Sequence, residues 1–418
     1  MYKFFKKSIF TGFAPNIEPR NVRKACAYLF LPWKWNALKT GKSAPVVESS
    51  LKTYFDITYA KTFDSGRTAL FYALKALGVG EGDEVLVQGY TCVVVTNAIL
   101  WTGATPIYVD ILDDFTMDPK EVEKNITNKT KVLILQHTFG MPSQIDSLLN
   151  LAKKYKLKTI EDCAHSLGVT YKKKLVGTYA DIGMLSFGTD KVISCGRGGA
   201  LITNNTALAK KIDIFHARLG KPHLVQILQH LWHFPVFYFA KPLYNLFIGK
   251  VILALAKKIH LTHRIISKEE KQAKQTLFYP AILPNSLADI LQDQIDILDK
   301  KNTHRKNIAA IYKKYLNKQI TQPLSNKAEA ILLRYPILIK NPQQLLADAK
   351  QQGVLLGNWY QTIIAPGDIN KQKTCYIKGN CPHAEVLAKQ SVNLPTHAYI
   401  TKKDAEKIAH IINNSTKK

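Results

Sequence analysis

Two side chains near the middle of the sequence could act on one bound molecule. Lys191 follows the short apolar run Leu185-Ser186-Phe187, and a glycine-rich turn comes next. Asp162 ends an earlier apolar run and is followed by Cys163-Ala164-His165. A lysine amine can form a Schiff base with a carbonyl carbon, and a carboxylate can keep a pyridine nitrogen protonated. Since most lysines are solvated surface charges, the two groups together indicate this chemistry and the lysine alone does not.

Pyridoxal phosphate is a cofactor that requires both groups. Its phosphate needs a further site, and Asp64-Ser65-Gly66-Arg67 offers one, because Ser65 is an N-cap type of residue before a helical run. Free backbone N–H groups at a helix start bind phosphate, although such a start is more often an ordinary cap. The sequence therefore predicts pyridoxal 5'-phosphate as the cofactor.

The elements that must position these groups alternate between strands and helices. Each predicted strand is an almost unbroken apolar run, which is typical of a parallel sheet covered on both faces. The predicted strands are 84–88, 105–110, 131–135 and 157–160, and the predicted helices are 93–101, 119–126 and 145–155. Tyr90, His137, Asp162 and Lys191 all fall just past predicted strand ends, which is where such sheets bind ligands.

Length, composition and net charge restrict the class of protein. The 418 residues are enough for a large core and two or three domains. The formal net charge of +27 indicates either lysines spread over the surface or attraction to polyanions, such as phosphorylated substrates or anionic lipid. The sequence has no helix-turn-helix signal, zinc spacing or RNA-binding aromatic motif, so we predict no nucleic-acid partner.

The six cysteines are scattered, at positions 26, 92, 163, 195, 375 and 381. They form no CxxC motif and no Cys/His cluster with zinc spacing, so we predict no metal site. A set of this kind indicates a reducing compartment without structural disulfides. The basic amino terminus lacks the long apolar run of a signal peptide. We therefore expect a cytoplasmic protein.

Four regions are predicted along the chain. Residues 1–60 are an irregular, aromatic-rich N-terminal arm with a helix near 44–54, and residues 61–221 are a large domain that binds the cofactor. Residues 222–270 are an apolar, aromatic-rich helical insertion. Residues 271–418 hold a connecting helix, predicted from 287 to 315, and a smaller C-terminal α/β domain with a strand at 334–339 and helices at 342–352 and 402–412.

The insertion has two interpretations. Residues 222–262 are rich in apolar side chains, with no formal charge between Lys221 and Lys241. Pro235 interrupts the run, and a spanning helix needs about 20 mainly apolar residues, so we predict no such helix. The stretch is either a helical pair packed on the domain or on a partner subunit, or a pair of interfacial helices on the inner face of an anionic membrane. The basic residues that flank it are Lys250, Lys257, Lys258 and Arg264.

The motifs, in this order, resemble the DegT/DnrJ/EryC1/StrS family of pyridoxal-phosphate-dependent sugar aminotransferases, which have the aspartate-aminotransferase-like fold, type I. The resemblance covers roughly residues 44–215 and 287–412. It implies a large domain with a mostly parallel seven-stranded sheet between helices. The residues that carry it are 64–70, 82–85, 103–106, 109–110, 136–140, 161–166, 186–187, Lys191, 198–199, 381–385 and 394–397.

The resemblance also implies roles for single residues. Lys191 forms the Schiff base and later shuttles a proton between the cofactor carbon and the substrate carbon. Asp162 pairs with the pyridinium nitrogen, and His165 lies near the ring hydroxyl. The predicted phosphate-binding residues are Gly66 and Arg67, through backbone N–H groups, and Ser186.

Three positions depart from the family pattern. Cys92 stands where an aromatic residue usually stacks on the cofactor, and Tyr90 is the predicted substitute. Arg197 stands where an acidic residue is common. Residues 279–285 contain no arginine, whereas the family commonly supplies an asparagine–arginine loop from the neighbouring subunit there.

The resemblance implies an aminotransferase that moves an amino group, with glutamate as the expected donor, to a keto group of a nucleotide-linked sugar in surface-polysaccharide, lipopolysaccharide or amino-sugar biosynthesis. It implies a homodimer with the active site at the interface. Two alternatives stay open: a pyridoxal-phosphate-dependent keto-sugar dehydratase, and a non-catalytic, membrane-associated member of the fold. Presence of both Lys191 and Asp162 favours the aminotransferase.

Overall fold

The computed structural model describes residues 8–263, 265–276, 280–324 and 329–416. A seven-stranded sheet forms the centre of the large domain. The strands of the described residues are β1 (Ile9–Phe10), β2 (Tyr59–Phe63), β3 (Glu84–Gln88), β4 (Thr91–Cys92), β5 (Thr105–Val109), β6 (Thr130–Gln136), β7 (Lys158–Asp162), β8 (Thr170–Tyr171), β9 (Lys174–Leu175), β10 (Ile182–Ser186), β11 (Gly199–Thr203), β12 (Arg334–Leu338), β13 (Val354–Leu355), β14 (Ile364–Ala365) and β15 (Ser391–Pro395).

The strand order of the central sheet is β2-β11-β10-β7-β6-β3-β5. From β10 to β5 all neighbours are parallel, while β11 runs antiparallel to both β10 and β2. The predicted mostly parallel, seven-stranded sheet is therefore confirmed. Because β10, β7 and β6 are adjacent and parallel, the segments that follow them leave the sheet at the same edge.

Helices cover both faces of this sheet, so its central strands are buried on both sides. Leu133, Ile134 and Ile160 have no exposed surface, which explains why these strands are continuous apolar runs in the sequence. The helices are α1 (Pro19–Phe30), α2 (Ser43–Phe55), α3 (Gly66–Ala76), α4 (Val93–Leu100), α5 (Pro119–Lys124), α6 (Ile145–Lys154), α7 (Thr206–Ala217), α8 (Leu224–Ala240), α9 (Ile248–Lys258), α10 (Asn285–Ile295), α11 (Leu298–Tyr315), α12 (Pro342–Gln351), α13 (Pro382–Gln390) and α14 (Lys402–Ser415).

The N-terminal arm is more ordered than predicted. Besides the expected helix α2, it holds α1, which begins at Pro19, where a missing backbone N–H costs nothing. α1 buries Val22, Ala25 and Tyr28, spaced three residues apart on one face. β1 pairs in parallel with β13 near the other end of the chain. The prediction of an irregular arm was wrong because this short apolar stripe was not recognised.

The insertion folds into the helical pair α8 and α9, which pack against each other. α8 also packs along α1, and the ring centroids of Phe30 and Trp232 lie 5.5 Å apart. Among the helices of the described residues, none combines the length and the apolar character that crossing a bilayer requires. Arg264, one of the flanking charges, lies outside the described residues.

The predicted connecting helix is in fact two helices. α10 ends at Ile295 and α11 begins at Leu298, and Ile297 leaves the helical region with φ −112°. The break lets the two helices pack on different partners, α10 on α2 of the arm and α11 on α14. In the smaller C-terminal region, β12 pairs antiparallel with β15. Helix α13 was not predicted there, and the boundaries of the four regions stay a prediction.

Glu161 connects the central sheet to the loop beside it. Its side chain is fully buried and accepts a hydrogen bond from His137 Nε2 at 3.1 Å. Burial raises the pKa of Glu161. The hydrogen bond and charge of His137, together with backbone hydrogen bonds from Gly177 and Ala180, outweigh burial, so the pKa lies below its usual value. Three backbone N–H groups also donate to this carboxylate: those of Gly177, Tyr179 and Ala180.

We expect Glu161→Ala to lower the free energy of unfolding by about 3–5 kcal/mol, because it removes a buried charge partner and strands buried N–H donors. Glu123→Ala is the control, since Glu123 pairs with Lys154 at the surface and its loss should change the stability far less than the loss of Glu161. Chemical denaturation followed by circular dichroism measures both. Equally small losses in the two variants would contradict the role given to Glu161.

Candidate active site

A cleft with about 1120 Å³ of empty space, part of it open to solvent, lies at the edge where β6, β7 and β10 end. It brings together most of the residues that the sequence singles out. The predicted site residues that line it are Gly66, Arg67, Asp162, His165, Ser186 and Lys191. The residues of one sheet edge and one helix start therefore share a single cavity.

Asp162 is the last residue of β7, in register with Gln136 of β6 and Met184 of β10. Its side chain is almost fully buried, and Oδ1 accepts the backbone N–H of Ala164 at 2.9 Å. Burial raises the pKa of Asp162, and the Ala164 N–H and the charge of Lys191 offset this in part. A buried carboxylate of this kind is stabilised by any cation that enters the cleft beside it.

Lys191 lies in the turn after β10. The turn is held from outside the large domain, since Asn16 of the arm donates to the Lys191 carbonyl at 2.6 Å and Arg305 of α11 donates to the Val192 carbonyl at 3.0 Å. The Lys191 ammonium nitrogen lies 5.4 Å from the centre of the Trp359 ring. The amine is therefore carried into the cleft by a backbone turn that two separate elements, the arm and α11, hold in place.

The start of α3 forms part of the cleft wall. Ser65 caps the helix, with its side chain accepting the Thr68 N–H at 3.2 Å. A Cβ atom on Gly66 would lie 2.9 Å from Cβ and Oγ of Ser186, so only glycine fits. This close approach brings a hydroxyl beside the free N–H groups of the helix start, a combination that suits a phosphate.

The side chain of Arg67 bonds the segment that follows the insertion. It pairs with the buried carboxylate of Glu270 and donates to the Ile265 carbonyl at 2.8 Å. Asn97 donates to the Glu270 carbonyl at 2.8 Å. These bonds hold the segment that follows the insertion beside the cleft. Since the side chain of Arg67 is engaged with that segment, Arg67 contributes its backbone N–H to the helix start.

His165 is buried beside the ring of Phe139, with ring centroids 6.3 Å apart and an angle of 12° between the planes. Its Nδ1 accepts the Phe139 N–H at 3.4 Å. Burial lowers the pKa of His165 well below its usual range, and the charges of Lys191 and Arg334 lower it further. The ring is therefore neutral, with its proton on Nε2 as a donor.

Tyr90 does not line the cleft, which contradicts its predicted place beside the cofactor. Its ring is fully buried and packs 4.8 Å from the ring of Phe115, and its hydroxyl accepts the Tyr360 N–H at 2.9 Å. Tyr90 points into the core because β3 ends at Gln88 and the chain turns before β4. Cys92 does line the cleft.

Trp359 is a cleft residue that the sequence analysis missed. Besides its position near Lys191, its ring lies 4.0 Å from Cζ of Arg334, and its centroid is 6.2 Å from that of His165. The sequence signal was the aromatic pair at 359–360 in a glycine- and asparagine-containing loop of the small domain. His230, His233 and His263 of the insertion region also line the cleft and were not predicted to do so.

Two of the three departures from the family pattern, at Arg197 and at residues 279–285, have structural explanations. Arg197 donates to Asp64 at 3.2 Å, and both side chains are buried, so its charge is balanced within the fold. Asn285, at the predicted place of the partner-binding loop, accepts the Ser43 N–H at 2.9 Å and donates to the Ala37 carbonyl at 2.8 Å. Its side chain fastens the N-terminal arm. Tyr279 lies outside the described residues.

Among the described residues, one group of three could approach a metal ion closely: His137, Glu161 and Cys163. The Glu161 carboxylate already accepts bonds from His137 and from three backbone N–H groups. Burial also raises the pKa of the Cys163 thiol well above its usual value, so the thiolate that a metal prefers is disfavoured. We assign this group to the stability of the sheet edge.

Relatives of this chain were found by sequence and by structure. GDP-perosamine synthase of Escherichia coli O157:H7 is 44% identical over 153 residues, which is 36% of this chain and 42% of that protein. A Bacillus subtilis protein described as 3-oxo-glucose-6-phosphate:glutamate aminotransferase is 40% identical over 181 residues, which is 42% of this chain and 40% of that protein. The chain thus matches less than half the length of these two curated relatives.

The solved structure of the putative sugar aminotransferase Spr1654 of Streptococcus pneumoniae, in its PLP form, superposes with a TM-score of 0.75 at 19% identity. The match covers 98% of this chain and 99% of that one. The fold is therefore that of the type I pyridoxal-phosphate-dependent aminotransferases.

The sequence model described as the DegT/DnrJ/EryC1/StrS aminotransferase family matches residues 32–226 and 254–413. The unmatched stretch between them falls within α8 and α9, so the insertion is where this chain differs from the family pattern. Because the matched segments make up well over half of its length, the chain belongs to the DegT/DnrJ/EryC1/StrS aminotransferase family.

Proposed function

We propose that the protein is a pyridoxal-phosphate-dependent aminotransferase that moves an amino group to a keto group of a nucleotide-linked sugar. The observation that carries the proposal is the meeting of Lys191, Asp162 and the start of α3 in one cleft. The names of the relatives support the substrate class, since one is a GDP-perosamine synthase and another a glutamate aminotransferase acting on an oxo-sugar phosphate. We propose glutamate as the amino donor on the same ground.

The residues present fit the cofactor. Asp162 would hold the ring nitrogen, since no cation of the described residues forms an ion pair with its buried carboxylate. The neutral ring of His165 would donate to the ring hydroxyl. The narrow corner at Gly66 and Ser186 would hold the phosphate, and Trp359 and Cys92 border the space left for the ring. When bound, pyridoxal phosphate would supply the electron sink that transamination requires.

The chain's own residues would then bind, orient and move protons. Lys191 Nζ would bond the cofactor carbonyl carbon at rest and, once displaced by substrate, carry a proton between the cofactor carbon and the substrate carbon. Asp162 would keep the ring nitrogen charged, because a buried carboxylate stabilises a neighbouring cation. Arg334 and Asp190, which pair at 3.5 Å, support the turn that carries Lys191.

The alternatives are less well supported. A keto-sugar dehydratase of this family would lack the lysine or carry a cysteine set for an iron–sulfur cluster, whereas Lys191 is present and the six cysteines are free and separated. A non-catalytic scaffold would have no need of the buried Asp162 beside Lys191. We therefore place the product in surface-polysaccharide, lipopolysaccharide or amino-sugar biosynthesis, in the cytoplasm, and propose from the family resemblance that the chain is a homodimer with its active site at the interface.

We further propose that α9 rests on the inner face of an anionic membrane. Its outward face exposes Val251, Leu255 and Ile259, at 47%, 54% and 66% of their surface. Val251 and Leu255 are four residues apart in α9 and so share one side, and Ile259 directly follows the end of the helix. Basic side chains lie beside this face: Lys250, Lys257 and Lys258. A helix of this kind suits the boundary between lipid headgroups and acyl chains.

Lys191→Ala should abolish the visible absorption band that the purified protein shows after incubation with pyridoxal phosphate, because Lys191 is the one lysine among the described residues that line the cleft. Activity with glutamate and a panel of nucleotide-linked keto-sugars, read by mass spectrometry, should fall to background. Lys172→Ala is the control, since Lys172 pairs with Asp146 at the surface. An unchanged band in Lys191→Ala would refute the proposal.

Asp162→Asn should keep the cofactor bound but lower kcat by on the order of 100-fold, since the amide cannot stabilise a charged ring nitrogen as a carboxylate does. Single-turnover absorbance changes with glutamate measure this step directly. Asp181→Asn provides the comparison, because Asp181 accepts bonds from Thr159 outside the cleft. A kcat within about threefold of wild type in Asp162→Asn would remove Asp162 from the mechanism.

The membrane contact is tested by flotation with acidic liposomes. The wild-type protein should float at low salt and be released at high salt, because lysine contacts with anionic lipid are screened. Leu255→Glu should abolish flotation, whereas Ile214→Glu should not, since Ile214 is equally exposed, at 54%, on α7. Failure of the wild type to float at low salt would contradict the membrane contact. The apolar face of α9 would then be assigned to a contact with a partner subunit, and light scattering would test this by measuring the oligomeric mass.

A further inference from the structure

The insertion helix α8 forms one wall of the cleft. His230 and His233 on α8 line it, and His263, which follows α9, lies beside them. α8 is packed directly on the turn that follows Lys191, since a Cβ atom on Gly196 would meet the His230 carbonyl at 3.4 Å. A segment that the family model does not match, residues 227–253, therefore places two imidazoles in the active-site cleft.

His230 has a buried polar atom without a partner. The residue is 7% exposed, and its Nε2 makes no hydrogen bond within the part of the chain that the structure describes. Its ring centroid lies 4.9 Å from that of His263. An unsatisfied buried nitrogen costs roughly 1–3 kcal/mol, so a ligand that forms a hydrogen bond with this atom would be stabilised; with the proton on Nε2, that ligand is an acceptor.

The charges of the neighbouring guanidinium groups are already balanced. Arg67 pairs with Glu270, and Arg197 pairs with Asp64. Burial lowers the pKa of His230 well below its usual range, and His263, Arg197, His233 and Arg67 lower it further. His230 is thus neutral, and it lines the same cleft as the start of α3 and Ser186.

We propose that His230 donates its Nε2–H to a phosphate group bound at the start of α3, so that the phosphate site is closed by a side chain of the same chain. The inference rests on the proposed function. A phosphate is the ligand favoured here because the cleft offers the backbone N–H groups of a helix start, a hydroxyl and an imidazole nitrogen, all of which can donate. The phosphate comes either from pyridoxal phosphate or from the diphosphate of the nucleotide-linked substrate.

The experiment compares ligands that differ in their phosphate. Wild-type protein, His230→Ala, His230→Gln and the control His223→Ala, an exposed histidine at the start of the same helix, are each titrated with pyridoxal phosphate and with pyridoxal, which lacks the phosphate. Binding is followed by absorbance at equilibrium. The cofactor-loaded proteins are then titrated with UDP and with GDP by calorimetry. Glutamine is included because its amide N–H can replace the imidazole donor.

If the cofactor supplies the phosphate, His230→Ala should weaken pyridoxal phosphate binding by 10-fold or more and leave pyridoxal binding within about 2-fold, as expected for a lost hydrogen bond to a charged group. If the substrate supplies it, the same 10-fold loss should appear for UDP or GDP instead. His230→Gln should restore most of the affinity, and His223→Ala should match wild type.

The proposal is overturned if His230→Ala binds all four ligands as wild type does, or if pyridoxal binding falls as much as pyridoxal phosphate binding, since the loss is then one of structure. Thermal unfolding of each apo variant identifies a folding defect. The ratio of the affinities for pyridoxal phosphate and pyridoxal within one variant does not depend on the fraction of protein that is folded. Failure here, with the visible band of the wild-type protein intact, leaves the proposed aminotransferase standing.

Discussion

The burial of Asp162 at the end of β7 is the constraint on which the cleft depends. A carboxylate in this position is costly unless a cation lies beside it, and the described residues compensate for its burial only in part: one backbone N–H and the charges of Lys191 and His137 act on it. The strand itself cannot move, because β7 is bonded to β6 on one side and β10 on the other. Its neighbour Glu161 anchors the adjacent loop through four hydrogen bonds. The protein thus holds a high-energy group rigidly at the place where a charged ring would relieve it.

Other ionisable groups around the cleft are either paired with an opposite charge or kept neutral. Arg67, Arg197 and Arg334 each pair with a carboxylate near the cavity wall. His165 is kept neutral by burial. Asp162 and Lys191 line the same cleft, and the charge of Lys191 acts on the buried carboxylate of Asp162. The insertion adds neutral imidazoles to that wall without adding charge.

Much of this arrangement could be predicted from the sequence, and the limits have physical causes. The sheet was predictable because strands buried on both faces are continuous apolar runs, and strand ends in a parallel sheet converge, which places Asp162 and Lys191 together. Gly66 and Ser186 followed from helix-start chemistry and the family resemblance. Tyr90 was misplaced because one residue of a tight turn decides whether a ring faces the cleft or the core. Trp359 and His230 could not be found, since both reach the cleft through tertiary packing, from a loop of the small domain and from the helical insertion.

The most direct test of the account is to trap the cofactor and locate its point of attachment. Wild-type protein is incubated with pyridoxal phosphate, reduced with borohydride, digested and mapped by mass spectrometry. We expect one dominant adduct, on the peptide that contains Lys191, at one cofactor per chain. An adduct spread over many surface lysines, or centred on a lysine outside the cleft, would contradict the claim that Lys191 and Asp162 face the same ring.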